Sequence, residues 1–228
     1  MLGKRVFAYI SAVFLLVLAA CNNQSTSEQM YEHLEEAVAL EEAFAEQQQP
    51  LVELEQREKE IYNEIINLGM EEFDQVEELS QEAISIIDER EEKLKTEKQS
   101  IEDAKEEFDK AAEMVDELEE EEVKGKAEEM VSTMNDRYQA YQDLNESYTS
   151  ALEQDRTLYE LLQNQELKEE ELRKQIDTIN NQYDEVISAN QSFNDYTEQY
   201  NQLKQSFYEA AGIDVEYDEA TESGETEE

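Results

Sequence analysis

Cysteine, proline and histidine each occur once in the 228 residues, glycine five times and tryptophan never. Each shortage excludes something. A single cysteine forms no disulfide within the chain and supplies no thiolate cluster for a metal. With His33 as the only histidine, no Ser-His-Asp set is recognisable and no His-rich metal site exists. The scattered glycines offer no phosphate-cradling loop, and no Asp-rich calcium loop is visible. Basic residues are also scarce, at 18 Lys and Arg against 61 Asp and Glu, giving a net charge of −43. Nucleic acid, whose phosphates require Lys and Arg, is excluded as a partner, and flat docking on an anionic membrane surface is disfavoured.

What is present is 39% hydrophobic and 35% charged residues with few helix breakers. That is too apolar for a disordered chain and matches long helices or coiled coils.

A 13-residue apolar run without charge, Val6 to Leu18, follows Lys4 and Arg5. It is too short for a comfortable transmembrane helix and fits the core of a signal peptide. The run ends Leu18-Ala19-Ala20-Cys21, which resembles a bacterial lipobox, with Cys21 as the lipidated residue and residues 1–20 as the signal peptide. A lone cysteine in an exported chain needs an explanation, and lipidation supplies one. Several acyl chains on one residue anchor firmly where a single chain does not. Removing residues 1–20 takes away Lys4 and Arg5 and no acid, so the mature charge is −45. Residues 21–27 then form the lipidated cysteine and a tether reaching about 20 Å.

Residues 28–212 carry apolar positions at alternating three- and four-residue spacing, the mark of amphipathic helices. Four helices are expected, over about 28–68, 71–121, 126–163 and 168–211. Turns are placed near Gly69, at Gly125 and between Asn164 and Lys168, and Gly212 closes the last helix. Pro50 lies within the first stripe, which keeps its phase, so a kink rather than a break is expected there. Residues 213–228, rich in Asp and Glu, read as a disordered tail.

Short turns make successive helices antiparallel. The stripes then align into layers: Leu54 with Ile87, Ile101 with Tyr148, Leu162 with Leu172. The fold class is therefore all-α, an elongated antiparallel up-down four-helix bundle roughly 65 Å long. The layers place His33 with Phe108, Tyr141 and Phe193 as a packed core residue. They bury Asn145 and Asn190 together, a pair that would fix register. They also set Arg90 near Asp155 as a structural ion pair. The start of the first helix, the turn at Gly125 and the acidic tail fall at the lipid end.

No catalytic constellation emerges, so no enzyme activity, metal or cofactor is expected. Most of the 12 tyrosines and 7 phenylalanines fall on the core stripes. Tyr31, Tyr62, Tyr208 and Tyr217 lie off them and are the candidates for surface contact with carbohydrate.

The stretch EEAFAEQQQPLVELEQREKEIYNEIINLGMEEFDQV, residues 41–76, together with the lipobox, resembles the YkyA-like family of lipoproteins, to which cell-wall binding is ascribed. The resemblance implies an all-helical surface lipoprotein of Gram-positive bacteria and transfers no catalytic residue. The expected function is thus a non-catalytic lipoprotein, held on the outer face of the cell membrane by lipid on Cys21. Peptidoglycan or other cell-wall material is the expected partner. The alternative is a scaffold that binds envelope proteins and positions a membrane or wall enzyme or transporter. The binding residues are not identified by sequence.

Overall fold

A computed structural model describes residues 24–68 and 72–215. Five α-helices follow one another: α1 (Thr26–Leu40), α2 (Glu42–Ile65), α3 (Phe73–Glu113), α4 (Glu121–Leu162) and α5 (Glu169–Ala210). Among the described residues there is no strand, and no helix is long and apolar enough to cross a membrane. α1 and α2 run end to end and together make one of the four rods of an antiparallel bundle. Helices of 41 and 42 residues give rods about 60 Å long.

α1 starts at a capping box. Ser25 accepts from the Glu28 amide at 3.2 Å and the Glu28 carboxylate returns to the Ser25 amide at 2.7 Å, so two orphan donors are satisfied. α5 ends at Gly212, whose φ of 69° suits glycine. There the Ile213 amide donates to Tyr208 and the Gly212 amide to Glu209, closing the helix in a Schellman motif.

The first rod is interrupted at Glu41, nine residues before Pro50, and α2 runs through the proline. The cause lies on the neighbouring helix. The Ser100 hydroxyl donates to the Leu40 carbonyl at 2.6 Å and accepts from the Phe44 amide at 3.1 Å. Leu40 and Phe44 are the two ends of one i→i+4 bond, so a side chain from α3 is inserted into the ladder of the first rod.

The connection between α3 and α4 falls earlier than expected. α3 stops at Glu113, a 3-10 turn spans Val115–Glu117, and α4 is under way at Glu121. Gly125 therefore lies inside α4. Glu121 and Glu122 occupy the first turn of α4, where carboxylates complement the positive end of the helix dipole. Lys124 ties back to Asp116 at 2.7 Å across the turn.

The earlier turn slides α4 along α3 by one heptad. Ile101 shares its layer with Tyr141, Phe193 and Phe44, where Tyr148 was expected. The α1–α3 register stays as expected, since Leu40 meets Ser100 and His33 meets Glu107. The α4–α5 register stays too, with Tyr141 against Phe193.

Three readings of individual residues are corrected. His33 is not packed among aromatics: it is half-buried and shares a hydrogen bond of 2.7 Å with Glu107, because Phe108 instead packs on Tyr200. Asn145 and Asn190 do not form a buried pair. Asn190 is exposed and accepts from Asn194 one turn on. Tyr208 is not a surface residue. It is 1% exposed, donates to Glu35 at 2.8 Å and packs edge-on against Tyr31. Tyr217, Gly69 and Leu18 to Cys21 lie outside the described residues.

Candidate functional site: the groove between α2 and α5

The bundle is not closed evenly. α1–α2 packs on α3, α3 on α4, and α4 on α5, but α5 meets α1–α2 only at separate points. Near the chain start, Tyr208 and Lys204 of α5 both reach Glu35 of α1. Further along, Arg137 of α4 forks onto Glu41, both bonds at 2.7 Å, and its Nε donates to Thr197 of α5 at 2.9 Å. Two-pronged Arg–carboxylate pairing is the strong form of this contact. Its guanidinium also lies over the Phe193 ring at 5.0 Å.

The next closure is centred on Arg90 of α3, which is 1% exposed. It donates to Glu58 and Glu55 of α2, to Tyr148 of α4 at 2.8 Å and to Tyr183 of α5 at 3.2 Å. Asp155 of α4 stands 3.7 Å from it and accepts from Tyr183 at 2.6 Å. All four rods are thereby joined through one cation. The expected Arg90–Asp155 pair is present, with two further carboxylates and two phenols gathered around it.

Between the Arg137 and Arg90 closures lies a groove of about 620 Å³. Glu41 and Glu55 mark its ends on the α2 side, about 21 Å apart along the rod. Its floor is an aromatic triangle. Phe44 meets Tyr141 and Phe193 edge-on at 5.9 Å each, and Tyr141 meets Phe193 at 5.6 Å. Val38 and Val52 border it with 46% and 56% exposure. Side-chain amides of Gln48, Asn145, Asn190 and Asn194 line its walls. A smaller cleft of about 330 Å³ continues beyond Arg90, lined by Tyr62, Tyr159, Tyr183, Ile176 and Ile179. Of the described tyrosines singled out by sequence, only Tyr62 lines either cavity.

Burial governs the electrostatics. It pushes the Asp155 carboxyl up to about 7, helped by Glu58 and opposed by Tyr183 and Arg90. Burial also raises Glu58, against the pull of Arg90. Glu97, 4% exposed on the groove wall, is pushed up to about 7 by burial alone. It accepts a hydrogen bond from Gln48. The phenols of Tyr148, Tyr159 and Tyr183 are all raised by burial, so they serve as neutral donors.

Among the described residues no group of three or more His, Cys, Asp or Glu has the geometry to hold a metal. The groove presents aromatic faces, amides and carboxylates, a surface suited to binding. Sequence reasoning missed it because the residues come from four rods, and Phe44, Tyr141 and Phe193 all read as ordinary core positions. The one available signal was the excess of Glu41, Glu55, Glu58 and Glu97 close to the apolar stripes.

Residues 25–210 match a family model described as "Putative cell-wall binding lipoprotein", YkyA. The chain is 32% identical over 200 residues to the uncharacterized lipoprotein YkyA of Bacillus subtilis strain 168, covering 88% of this chain and 90% of that protein. It also resembles a crystal structure of a conserved protein of unknown function from Staphylococcus aureus. That likeness has a TM-score of 0.70 and 14% identity, and covers 82% of this chain and 98% of the other. At that identity it bears on the fold alone.

Proposed function

The chain belongs to the YkyA family of lipoproteins, and from that premise we propose that it is a non-catalytic binder of cell-wall material, lipid-anchored through Cys21 on the outer face of a Gram-positive cell membrane. The observation that carries the binding role is the α2–α5 groove. It is long, floored by aromatic rings and lined with amides, the kind of surface that receives an extended polymer. The anchor at Cys21 places α1 close to the lipid surface, since Gln24 already opens the folded body. The bundle then projects the groove outward by tens of ångströms. A mature charge of −45 opposes anionic headgroups and holds the rod off the surface.

The test is co-sedimentation of residues 21–228, carrying Cys21→Ser, with purified peptidoglycan. Pelleting with the wall supports the reading. A chain that stays in the supernatant at low and high salt, with and without magnesium, overturns it.

A second reading is a scaffold that positions a membrane or wall enzyme or transporter. Val38 and Val52 at the groove rim favour it, because an exposed apolar edge can take a partner helix. In-cell cross-linking from Val52 to a single envelope protein, with no wall material, would select it.

A further inference from the structure

Glu97 poses a problem that the fold does not solve. It is 4% exposed, yet among the described residues it makes no ion pair. Its partner is the neutral Gln48 amide. Burying a carboxylate without a cation is among the costlier things a protein does. Leucine or glutamine on that face of α3 would pack more cheaply. The residue lines the groove, beside the aromatic triangle, and its charge holds the Tyr141 proton tighter.

The rest of the groove has the same imbalance. Glu41, Glu42, Glu55 and Glu97 line it, and among the described residues Arg137 is its only cation. Arg137 is consumed by its two bonds to Glu41. Glu55 has Arg90 and Tyr148, but Glu42, like Glu97, makes no ion pair among the described residues. The occupant must therefore bring positive charge. The chain's own residues 216–228 carry acids and no base, and a second copy carries −45 in all, so both are repelled. An anionic polymer is repelled for the same reason.

Resting on the wall-binding reading above, we infer that the groove receives an extended wall peptide bearing a free primary amine. The ammonium pairs with Glu97, and the Phe44–Tyr141–Phe193 triangle seats the apolar part of the chain beside it. The dimensions fit. About 21 Å accommodates six or seven residues of extended chain, and side-chain amides of Asn145, Asn190 and Asn194 line the walls beside it.

The test uses the mature chain, residues 21–228 with Cys21→Ser, and sacculi stripped of anionic polymers. One portion keeps its amines and another is N-acetylated with acetic anhydride. Binding should be at least tenfold tighter to the portion with free amines. Glu97→Gln should lose that preference and bind both portions alike. At pH 8, where Glu97 is mostly ionised, it should also denature at higher urea than the parent, because an unpaired buried charge is gone; a merely structural Glu97 would make it less stable. Equal binding of the parent to both portions overturns the amine inference and leaves wall binding standing. Binding that appears only on unstripped sacculi also overturns it, assigning the recognised group to the anionic polymers. A Glu97→Gln variant that folds and keeps the full preference removes Glu97 from the site. Failure to bind any sacculi overturns the wall-binding reading itself and the inference with it.

Discussion

Replacing Arg90 with methionine tests whether one cation holds the centre of this bundle. Methionine keeps most of the side-chain length, so packing changes little and the electrostatic loss dominates. Glu58 and Asp155, both under a tenth exposed, are left without a counter-charge. Removing one partner of a buried ion pair costs about 3–5 kcal/mol. The cost should depend on pH in a definite direction. Asp155 already titrates near 7, and losing the opposing pull of Arg90 raises both it and Glu58 further, so less charge is stranded in the folded variant at pH 5 than at pH 7.5. The loss there should shrink to about 1–2 kcal/mol, the worth of the broken hydrogen bonds to Tyr148 and Tyr183. The assay is urea denaturation of residues 21–228 carrying Cys21→Ser, at pH 7.5 and pH 5.0 and fixed ionic strength. A triple variant, Arg90→Met with Glu58→Leu and Asp155→Leu, should recover to within about 1 kcal/mol of the parent, because an apolar core can replace a buried polar cluster. A single-variant cost under about 1 kcal/mol at pH 7.5, or one equal at both pH values, would refute this account of the cluster.

Other perturbations probe other links. Asp155 and Glu97 titrate near 7 when folded, against ordinary values of 3.8 and 4.5, so the folded state holds more protons between about pH 4 and 7. Stability should fall as pH rises through that window, each group contributing on the order of 3 kcal/mol. An Asp155→Asn, Glu97→Gln double variant should flatten the profile, and an unchanged slope would exclude both residues as its cause. Ser100→Ala should cost about 1–3 kcal/mol by stranding the Leu40 carbonyl and the Phe44 amide. Hydrogen exchange at Phe44 should quicken, and slow exchange with no loss of stability would mean the rod simply straightens. Cys21→Ala in the full chain should leave unprocessed precursor and abolish acyl labelling, whereas continued labelling would refute lipidation at that residue.

The fold class was legible in sequence because apolar stripes of constant phase admit few other folds. The α1–α3 and α4–α5 registers followed from the same stripes. The α3–α4 register did not, and the reason is general. Sliding two heptad stripes by seven residues preserves every apolar match, so phase alone cannot count heptads; only the turn does. Gly125 was the obvious breaker, but Glu121 and Glu122 begin α4 before it, and a glycine inside a helix costs only about 1 kcal/mol. Displacing the turn carried Phe108 away from Tyr141 and left His33 beside Glu107. The break at Glu41 was invisible for another reason. Pro50 carried the local signal, whereas the actual cause, Ser100, lies 60 residues from the Leu40 carbonyl it bonds. The groove was the least legible feature, since it depends on where two rods fail to meet.

That failure to meet follows from the distribution of charge. α5 is joined to the first rod where a cation stands between them: Lys204 at Glu35, Arg137 at Glu41 and Thr197, and Arg90 at Glu55 and Tyr183. Between Arg137 and Arg90 no Lys or Arg among the described residues lines the gap, while Glu42 and Glu97 do. Closing it would take those carboxylates further from water with nothing to neutralise them, a cost of several kcal/mol per ion. The apolar gain from covering Phe44, Val52 and Phe193 is about 1.5–3 kcal/mol per side chain at most, and these rings are already largely packed. The two terms are comparable, so the edge stays open over this stretch and leaves Val38 and Val52 exposed at the rim above the packed rings. A cation supplied from outside changes that balance, which is why the unpaired acids and the apolar floor belong to one site.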